Sequence, residues 1–403
     1  MSANTVLMIL TNAYDPDPRV RQEALSLVRM GCRVRILAWD RDRKAPRHES
    51  MEGVDVERIF ISSTHGRGAT QIMRYAGVYL SMLWRGLRTP FHAVHCHDLD
   101  ALPVGFVLGK LRSKPIVYDA HESFSDMLTG SVPALIQRGL VSLENLLMRR
   151  VDLVITVGEK LRRHMAERGA AHCVVVGNWK RLGEFSRTDP ENKEMRRQLG
   201  IPDDALAVVC ITHLRRDRKI EELLAAAANR PDVYVIIAGD GVLAELVRKA
   251  AAANPRIIFA GFVSGRQIPD YTCAADAIYY GFDPENPNAR FSAPNKLYEA
   301  LAAGRPLITG NFGEIADVVR DAACGIVLPD YTPSEIEKAF TRLQDRNAWS
   351  TMAANAARIG RTSLNWEKGE EILYREYSRL LPGLREPGLD TVAELTRAPA
   401  IGQ

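Results

Sequence analysis

Short β-branched apolar runs alternate with amphipathic stretches of helical period along almost the whole chain, and that alternation lapses once. Strands joined through helices are carried back to the same end of a sheet each time, so such a pattern builds parallel sheets covered by helices on both faces. The first series of strands is read at Val6–Thr11, Arg33–Ala38, Val56–Ile61, Ala93–Cys96, Pro115–Asp119, Leu153–Val157 and Cys173–Val176, with helices at Arg19–Met30, Gln71–Arg88, Pro133–Arg149 and Glu159–Glu167. Over Lys180–Gly200 the sequence is polar, holds a proline and has no apolar period, which places a domain boundary there. The alternation then restarts, with strands at Ala207–Ile211, Val233–Ala238, Ile257–Ala260, Ala277–Tyr280, Pro306–Thr309 and Gly325–Val327 and helices at Ile220–Asn229, Val242–Ala253 and Asn295–Ala303.

The expected fold class is therefore α/β, with two Rossmann-like doubly wound domains in tandem. The expected spans are 1–182 for the first domain and 183–364 for the second. A helix over 365–385 is expected to pack back on the first domain, and 386–403 is read as a loosely held tail. Since 403 residues exceed what one core usually supports, two domains are also the default on length. Ligand-binding loops of such sheets lie at the carboxyl ends of the strands, so an interdomain cleft between two such edges is the expected site.

Bulk properties exclude several classes. A net charge of +4 is too mild to argue for nucleic acid. The six cysteines are scattered, with no Cys-x-x-Cys pair, and read as reduced core residues of a cytoplasmic protein. The opening MSANTVLMILTN runs into a strand and is not read as a signal peptide, and no apolar run approaches the length of a spanning helix. Membrane contact, at the inner face, is then expected to be peripheral. The stretch Gly68–Phe91 suits it, mixing Met73, Tyr75, Leu80, Trp84 and Leu87 with Arg74, Arg85 and Arg88; a core-packed helix with snorkelling arginines is the other reading.

The strongest local signal is SAPNKLYEALAAG, Ser292–Gly304. Ser292 suits an N-cap, Pro294 the first turn and Gly304 a left-handed stop, with Leu297, Ala300 and Leu301 as the buried stripe. The amino end of such a helix offers free N–H groups and a positive dipole, Lys296 adds charge, and a diphosphate is the expected ligand. Glu299, one turn in, is placed to accept both hydroxyls of a ribose. An ordinary capped surface helix is the alternative. His95-Cys96-His97-Asp98 prompts a test for metal: on a strand, His95 and His97 share one face and Cys96 and Asp98 the other, so one ion cannot take all four, and no metal is expected. His97 and Asp98 are instead assigned to the acceptor side. In Asp15-Pro16-Asp17-Pro18, Asp17 caps the next helix and Pro18 starts it; Arg19 and Arg21 follow in its first turns as candidates for an anionic acceptor, or as plain surface charge.

SAPNKLYEALAAGRPLI resembles the signature of glycosyltransferase family 4 of the GT-B fold, in the branch reading S-x-P-N-K-L-x-E. DPRVRQEALSLVRMGCRV, HCHD, YDAHESF, VDLVITVGEKL, IAGDG, IIFAGFVS and NWEKGEE match that family in order and spacing. The resemblance implies a hexosyltransferase that moves a sugar from a nucleotide-sugar, a substrate rather than a cofactor, without metal and with retention of anomeric configuration. UDP-sugar is favoured over GDP- or ADP-sugar, and the implied acceptor is a glycan of an envelope or polysaccharide, a lipid-linked glycan or a small molecule.

The resemblance also implies residue roles. Glu299 holds the ribose, and the backbone of Ala293, Pro294 and Asn295 takes the distal phosphate. Arg218, with Lys296, neutralises the diphosphate. The first basic position of the family falls near Thr212 or His213 and is unmatched, with Arg216 as a substitute. Gly261, Phe262 and Val263 clasp the nucleobase through backbone contacts. His121 points at the donor sugar, flanked by Asp119 and Glu122. The pattern departs in one place: many members carry two glutamates with seven residues between them, and counting back from Glu299 gives Phe291, so Asp283 or Glu285 is left to contact the sugar. A nucleotide-sugar 2-epimerase of the same architecture and a non-catalytic nucleotide-sugar-binding protein are the competing readings.

Overall fold

A computed structural model of the chain describes residues 3–14, 17–62, 69–127 and 132–386. Asp15, Pro16, Gly68 and the tail from 387 onward lie outside the described residues. In chain order the first elements are β1 (Thr5–Ile9), α1 (Pro18–Arg29), β2 (Arg33–Trp39), β3 (His48–Met51), β4 (Val54–Ile59), α2 (Ala69–Arg88), β5 (Ala93–His97), α3 (Asp98–Arg112), β6 (Ile116–Ala120), α4 (Phe124–Met127), α5 (Ala134–Met148), β7 (Leu153–Thr156), α6 (Glu159–Glu167) and β8 (Cys173–Val175). Then follow α7 (Asp189–Gln198), β9 (Leu206–Ile211), α8 (Ile220–Ala228), β10 (Val233–Ala238), α9 (Ala244–Ala253), β11 (Ile257–Gly261), α10 (Ile268–Ala274) and β12 (Ala277–Tyr280). The last are α11 (Asn295–Ala303), β13 (Leu307–Gly310), α12 (Gly313–Asp321), β14 (Gly325–Leu328), α13 (Pro333–Gln344), α14 (Arg346–Thr362) and α15 (Trp366–Leu380).

The chain divides into two compact units, residues 1–176 with 369–403, and residues 177–368. The division falls after Val176 rather than after Leu182, and again at Lys368/Gly369. In the first unit eight strands run in the order β3-β4-β2-β1-β5-β6-β7-β8, parallel throughout except for β3, which pairs antiparallel with β4. β1 lies between β2 and β5, with Leu7 opposite Arg35 on one side and Val94 on the other. In the second unit the order is β11-β10-β9-β12-β13-β14, all parallel, and β9 lies between β10 and β12. These are the points where strand order reverses, and the loops leaving the carboxyl ends there diverge to open a crevice in each sheet. Strands β1, β5, β6 and β9 are buried at every residue, as two-sided parallel strands must be.

The sequence reading gives no range for β3, α3, α4, α7, α10, α12, α13 or α14, and for three of these the reason is plain. β3 is a short edge strand that carries no apolar run. α3 follows β5 without a loop and is apolar nearly all round, so it has no amphipathic face to read. α7 lies inside the stretch read as aperiodic; it is polar, and a reciprocal capping box between Thr188 and Glu191 starts it. The cysteines are free thiols, and all but the half-buried Cys173 are buried.

Candidate functional site

In the second unit, the switch point between β9 and β12 puts two loops side by side. After β9 the chain passes through Thr212–Leu214 into a short 3-10 turn, Arg216–Arg218. It is pressed against the loop after β10: a Cβ on Gly239 would stand 1.8 Å from the Thr212 carbonyl oxygen, so only glycine fits there. After β12 the chain runs from Gly281 to Pro294, and the Asp283 N–H donates to the Asp217 carbonyl at 2.9 Å, tying the two loops together. Arg218 donates to the Tyr280 hydroxyl at 2.8 Å and stacks 4.6 Å over Phe282. Tyr280 in turn bonds the Ser292 side chain.

This bond corrects the expected cap. Ser292 is not the N-cap of α11: Ala293, the residue before the proline, is pushed away from the helical region, so Pro294 takes the cap position in extended geometry and, having no polar side-chain atom, makes no cap bond. Gly304 does close the helix, at φ 62°. Asn178 donates to the Ala293 carbonyl at 3.1 Å, Glu314 N–H to the Ser292 carbonyl at 3.2 Å, and the Lys180 ammonium to Asn295 Oδ1 at 2.6 Å. With these carbonyls occupied, the N–H groups of Asn295 and Lys296 stand in the first turn, where a helix supplies no acceptor of its own. Lys296 is paired with Glu299, which is only 3% exposed, so the carboxylate lies under its lysine rather than open to solvent. Burial depresses the pKa of Lys180, with Lys296 acting the same way and Glu299 opposing.

Of the other residues singled out in this unit, Arg216 is 81% exposed and faces Glu221 at 3.6 Å, apart from the Arg218–Tyr280 bond. Asp283 caps its own turn by accepting from the Glu285 N–H at 3.2 Å, and Glu285 is exposed. Phe291 is half-buried, with Arg290 over its ring. Gly261 ends β11 at φ 68°; Val263 is buried, and Phe262 presents its ring outward at 79% exposure. Lys180 was missed: nothing near it in sequence marks it, and only the fold brings it beside α11.

In the first unit, the ends of β5 and β6 carry His97, Asp98, Asp119 and His121. Asp119 is fully buried and serves as the hub. Arg19 donates to its two oxygens at 2.9 and 2.6 Å, His121 Nε2 lies 2.8 Å from it and His97 Nδ1 3.2 Å. Arg19 also donates to the Val176 carbonyl at 2.7 Å. It is therefore neither the acceptor contact nor the surface charge expected of it; it is a buried structural cation. Arg21 is partly exposed and forks onto Glu52. His97 is buried and stacks on His95 at 4.3 Å, so it does not line an open surface. Glu122 is exposed. Asp98 sits at φ 64°, a left-handed conformation held by its own carboxylate, which accepts from the His121 N–H at 3.1 Å and faces His121 Nδ1 at 3.3 Å.

Burial by itself would lower the pKa of His121, but Asp98 and Asp119 outweigh it and raise the pKa to about 10. Burial would raise Asp119, and Arg19 followed by His121 reverses that, holding it well below the usual carboxylate range. His121 is then an imidazolium with both ring N–H groups aimed at carboxylates, a donor of hydrogen bonds and not a base.

The metal test needs one correction. His95 and His97 do share a face, but Glu23 from α1 and Asp119 from β6 join them, bringing four ligand-type atoms within 4.8 Å of one another. The spacing of residues 95–98 could not show this, since two of the four come from other elements. Arg19 pairs with both carboxylates of the group, 3.1 Å from Glu23 and 2.6 Å from Asp119, so these two already have a cation as partner. Burial, with Asp119 adding to it, raises Glu23 to about 8.

The family described as "Glycosyl transferase 4-like domain" matches residues 16–179, and that described as "Glycosyl transferases group 1" matches 191–361. Curated relatives include the uncharacterized glycosyltransferase MJ1607 of Methanocaldococcus jannaschii, 23% identical over 79% of this chain and 82% of its own length. A second is alpha-D-kanosaminyltransferase of Streptomyces kanamyceticus, 23% identical over 69% and 76%. Among solved structures, sucrose-phosphate synthase from Thermosynechococcus elongatus superposes with a TM-score of 0.76 at 18% identity, covering 94% of this chain and 99% of that one. HepE from Anabaena, determined in complex with UDP-glucose, gives 0.70 at 16% identity over 93% and 100%. With one family matched in each half, the chain belongs to the group 1, or family 4, glycosyltransferases, and its two α/β units are those of the GT-B fold.

Proposed function

We propose that this glycosyltransferase moves a hexose from a nucleotide-sugar to a hydroxyl of a glycan, lipid-linked or small-molecule acceptor, with retention of configuration and without a metal ion. The observation that carries the reading is the amino end of α11. First-turn N–H groups, two lysines and a buried carboxylate meet there, with Arg218 tied in through Tyr280 and Ser292. A diphosphate suits the N–H groups and ammonium groups. Glu299, once Lys296 turns to the phosphate, is free to accept from two ribose hydroxyls.

During transfer the bond from the anomeric carbon to the phosphate oxygen breaks and a bond to the acceptor oxygen forms. The acceptor proton passes to the departing phosphate. Negative charge grows on that phosphate, so the donors gathered at Asn295, Lys296, Lys180 and Arg218 lower the barrier more than they tighten the ground state. His121, held as a cation by Asp98 and Asp119, orients a sugar hydroxyl; its contact with Asp98 is the looser one, and a hydroxyl can enter there. Asp283 or Glu285 takes the sugar contact that Phe291 cannot make. Gly261–Val263 receives the base by backbone groups, and UDP is the preferred nucleotide. Support for a UDP-sugar comes from HepE, whose solved complexes contain UDP and glucose as well as UDP-glucose. A Bacillus subtilis relative named for teichuronic acid biosynthesis, TuaC, supports an envelope polysaccharide as acceptor.

A thermal-shift screen across UDP-, GDP-, ADP- and CMP-sugars, followed by donor-turnover assays with and without a chelator, tests the reading. Stabilisation by one nucleotide class and chelator-insensitive turnover are expected. Conversion of the donor to an epimer with no acceptor present would replace transfer by isomerisation, and binding without turnover would reduce the protein to a nucleotide-sugar receptor.

A further inference from the structure

Helices α2, α3 and α5 of the first unit lie side by side with outward apolar stripes. On α2, Leu80, Trp84 and Leu87 recur at helical spacing, with Leu80 67% and Trp84 52% exposed. Leu111 on α3 and Leu135 and Leu146 on α5 continue the surface, Leu135 at 81% exposure. Contacts at the carboxyl ends hold the three helices together. A Cβ on Gly86 would come 2.4 Å from the Leu108 side chain, so α2 and α3 touch closely. Arg112 of α3 donates to the Thr89 carbonyl at 3.1 Å and also to that of Leu87. Lys110 of α3 donates to the Arg150 carbonyl, just past α5, at 2.9 Å.

Among the described residues of the three helices, the exposed charge has one sign. α2 contains no acidic residue. The acids of α3, Asp98 and Asp100, sit in its first turn and are engaged by His121 and Thr11, and Glu144 of α5 is fully buried against Arg168. The exposed charges are Arg88, Lys110, Arg138, Arg149 and Arg150, followed by one exposed acid, Asp152, whose carboxylate accepts from the Ile116 N–H at 2.8 Å. Arg88 lies 3.7 Å over the Trp84 ring, which puts a cation and an indole at the same level on the surface. Exposed leucines and a tryptophan set among arginines and a lysine match a surface that is apolar inside and anionic at its boundary.

We propose that the α2–α3–α5 face docks on an anionic lipid bilayer. The proposal rests on the first unit alone and stands whether or not the assigned donor site is right. Flotation of the full chain with phosphatidylcholine vesicles, alone or mixed with phosphatidylglycerol, tests it. Binding is expected only to the mixed vesicles and should weaken as salt is raised, since the Debye length shrinks. The double variant Leu80→Glu/Trp84→Glu should lose binding by at least about tenfold, two buried apolar side chains being worth more than that factor. Its unfolding temperature and nucleotide-induced thermal shift should stay those of the parent, because both positions are exposed. Trp84→Phe should keep most of the binding. No flotation with the anionic vesicles, or undiminished flotation of the double variant, overturns the proposal. So does a parent that elutes as a dimer and becomes monomeric in the double variant, which would assign the face to a second copy of the chain.

Discussion

Asp119 concentrates the chemistry of the first unit in one carboxylate. It accepts from Arg19 twice and from His121, all below 3.0 Å, and is fully buried. Asp119→Asn would leave the Arg19 cation buried with its main partner neutral, and a broken buried pair costs about 3–5 kcal/mol. Urea unfolding should show a loss of that size; a loss within error would mean that Arg19 finds its balance in Glu23. The same cluster sets a pH dependence. A histidine that binds its proton more tightly when folded stabilises fully below its unfolded value of 6.5 and loses that contribution as pH climbs through about 10. Unfolding midpoints should therefore fall across that window, and His121→Gln should flatten the fall; parallel profiles for the two proteins would disprove the charged state. The resemblance marked His121, and periodicity marked Arg19 and His97, which sit at a helix start and a strand end. Arg19 and His97 were placed on the acceptor side, whereas both are buried, because burial depends on which other elements arrive, and β6 brings Asp119 to both. Lys180 went unmarked for the same reason.

At the level of elements, α11 was legible from its own residues: the Pro-Asn-Lys start, the leucine stripe and the Gly304 stop all belong to one segment. Its cap was not, since Ser292 spends its hydroxyl on Tyr280 from another strand. Lys296→Met tests the helix end as a diphosphate site. Removing one charged donor should weaken nucleoside diphosphate binding by about tenfold, the value of a charge-assisted hydrogen bond, and should also lower the urea midpoint, because Glu299 stays buried without its partner. Unchanged affinity by calorimetry would move the phosphate elsewhere. α3 was illegible because it starts directly from β5 through the left-handed Asp98 and has no polar face until its end. Its seat on the sheet depends on small residues: a Cβ on Gly105 would lie 2.0 Å from Cys96 Sγ. Gly105→Ala should destabilise by about 1–3 kcal/mol through overpacking, read as a lower urea midpoint at constant slope.

For the whole molecule, the return of the chain at its carboxyl end, expected of a late amphipathic helix, is the feature with the widest consequence. From Gly369 onward the residues belong with the first unit. Glu370 pairs with Arg29, the Tyr377 hydroxyl lies 2.8 Å from His95 Nδ1, and Glu376 is 2.6 Å from His172. Tyr377 is fully buried, and the ring it contacts stacks on His97, one step from the Asp119 hub. Every assigned donor-binding residue lies instead between 177 and 368. Deleting 369–403 should then separate the two halves of the function. The first unit would lose Glu370, Tyr377 and Glu376 as partners of Arg29, His95 and His172, and its unfolding should move to lower temperature or vanish from the calorimetric trace. The second unit keeps Lys180, Arg218, Lys296 and Glu299, so its transition should remain and still rise when nucleoside diphosphate is added. Turnover would be lost with the His121 cluster. If the truncated chain instead lost nucleotide binding and kept an intact first transition, the assignment of donor binding to the second unit would be the part to abandon, and the bonds made by Glu370, Glu376 and Tyr377 would count for little in the stability of the first.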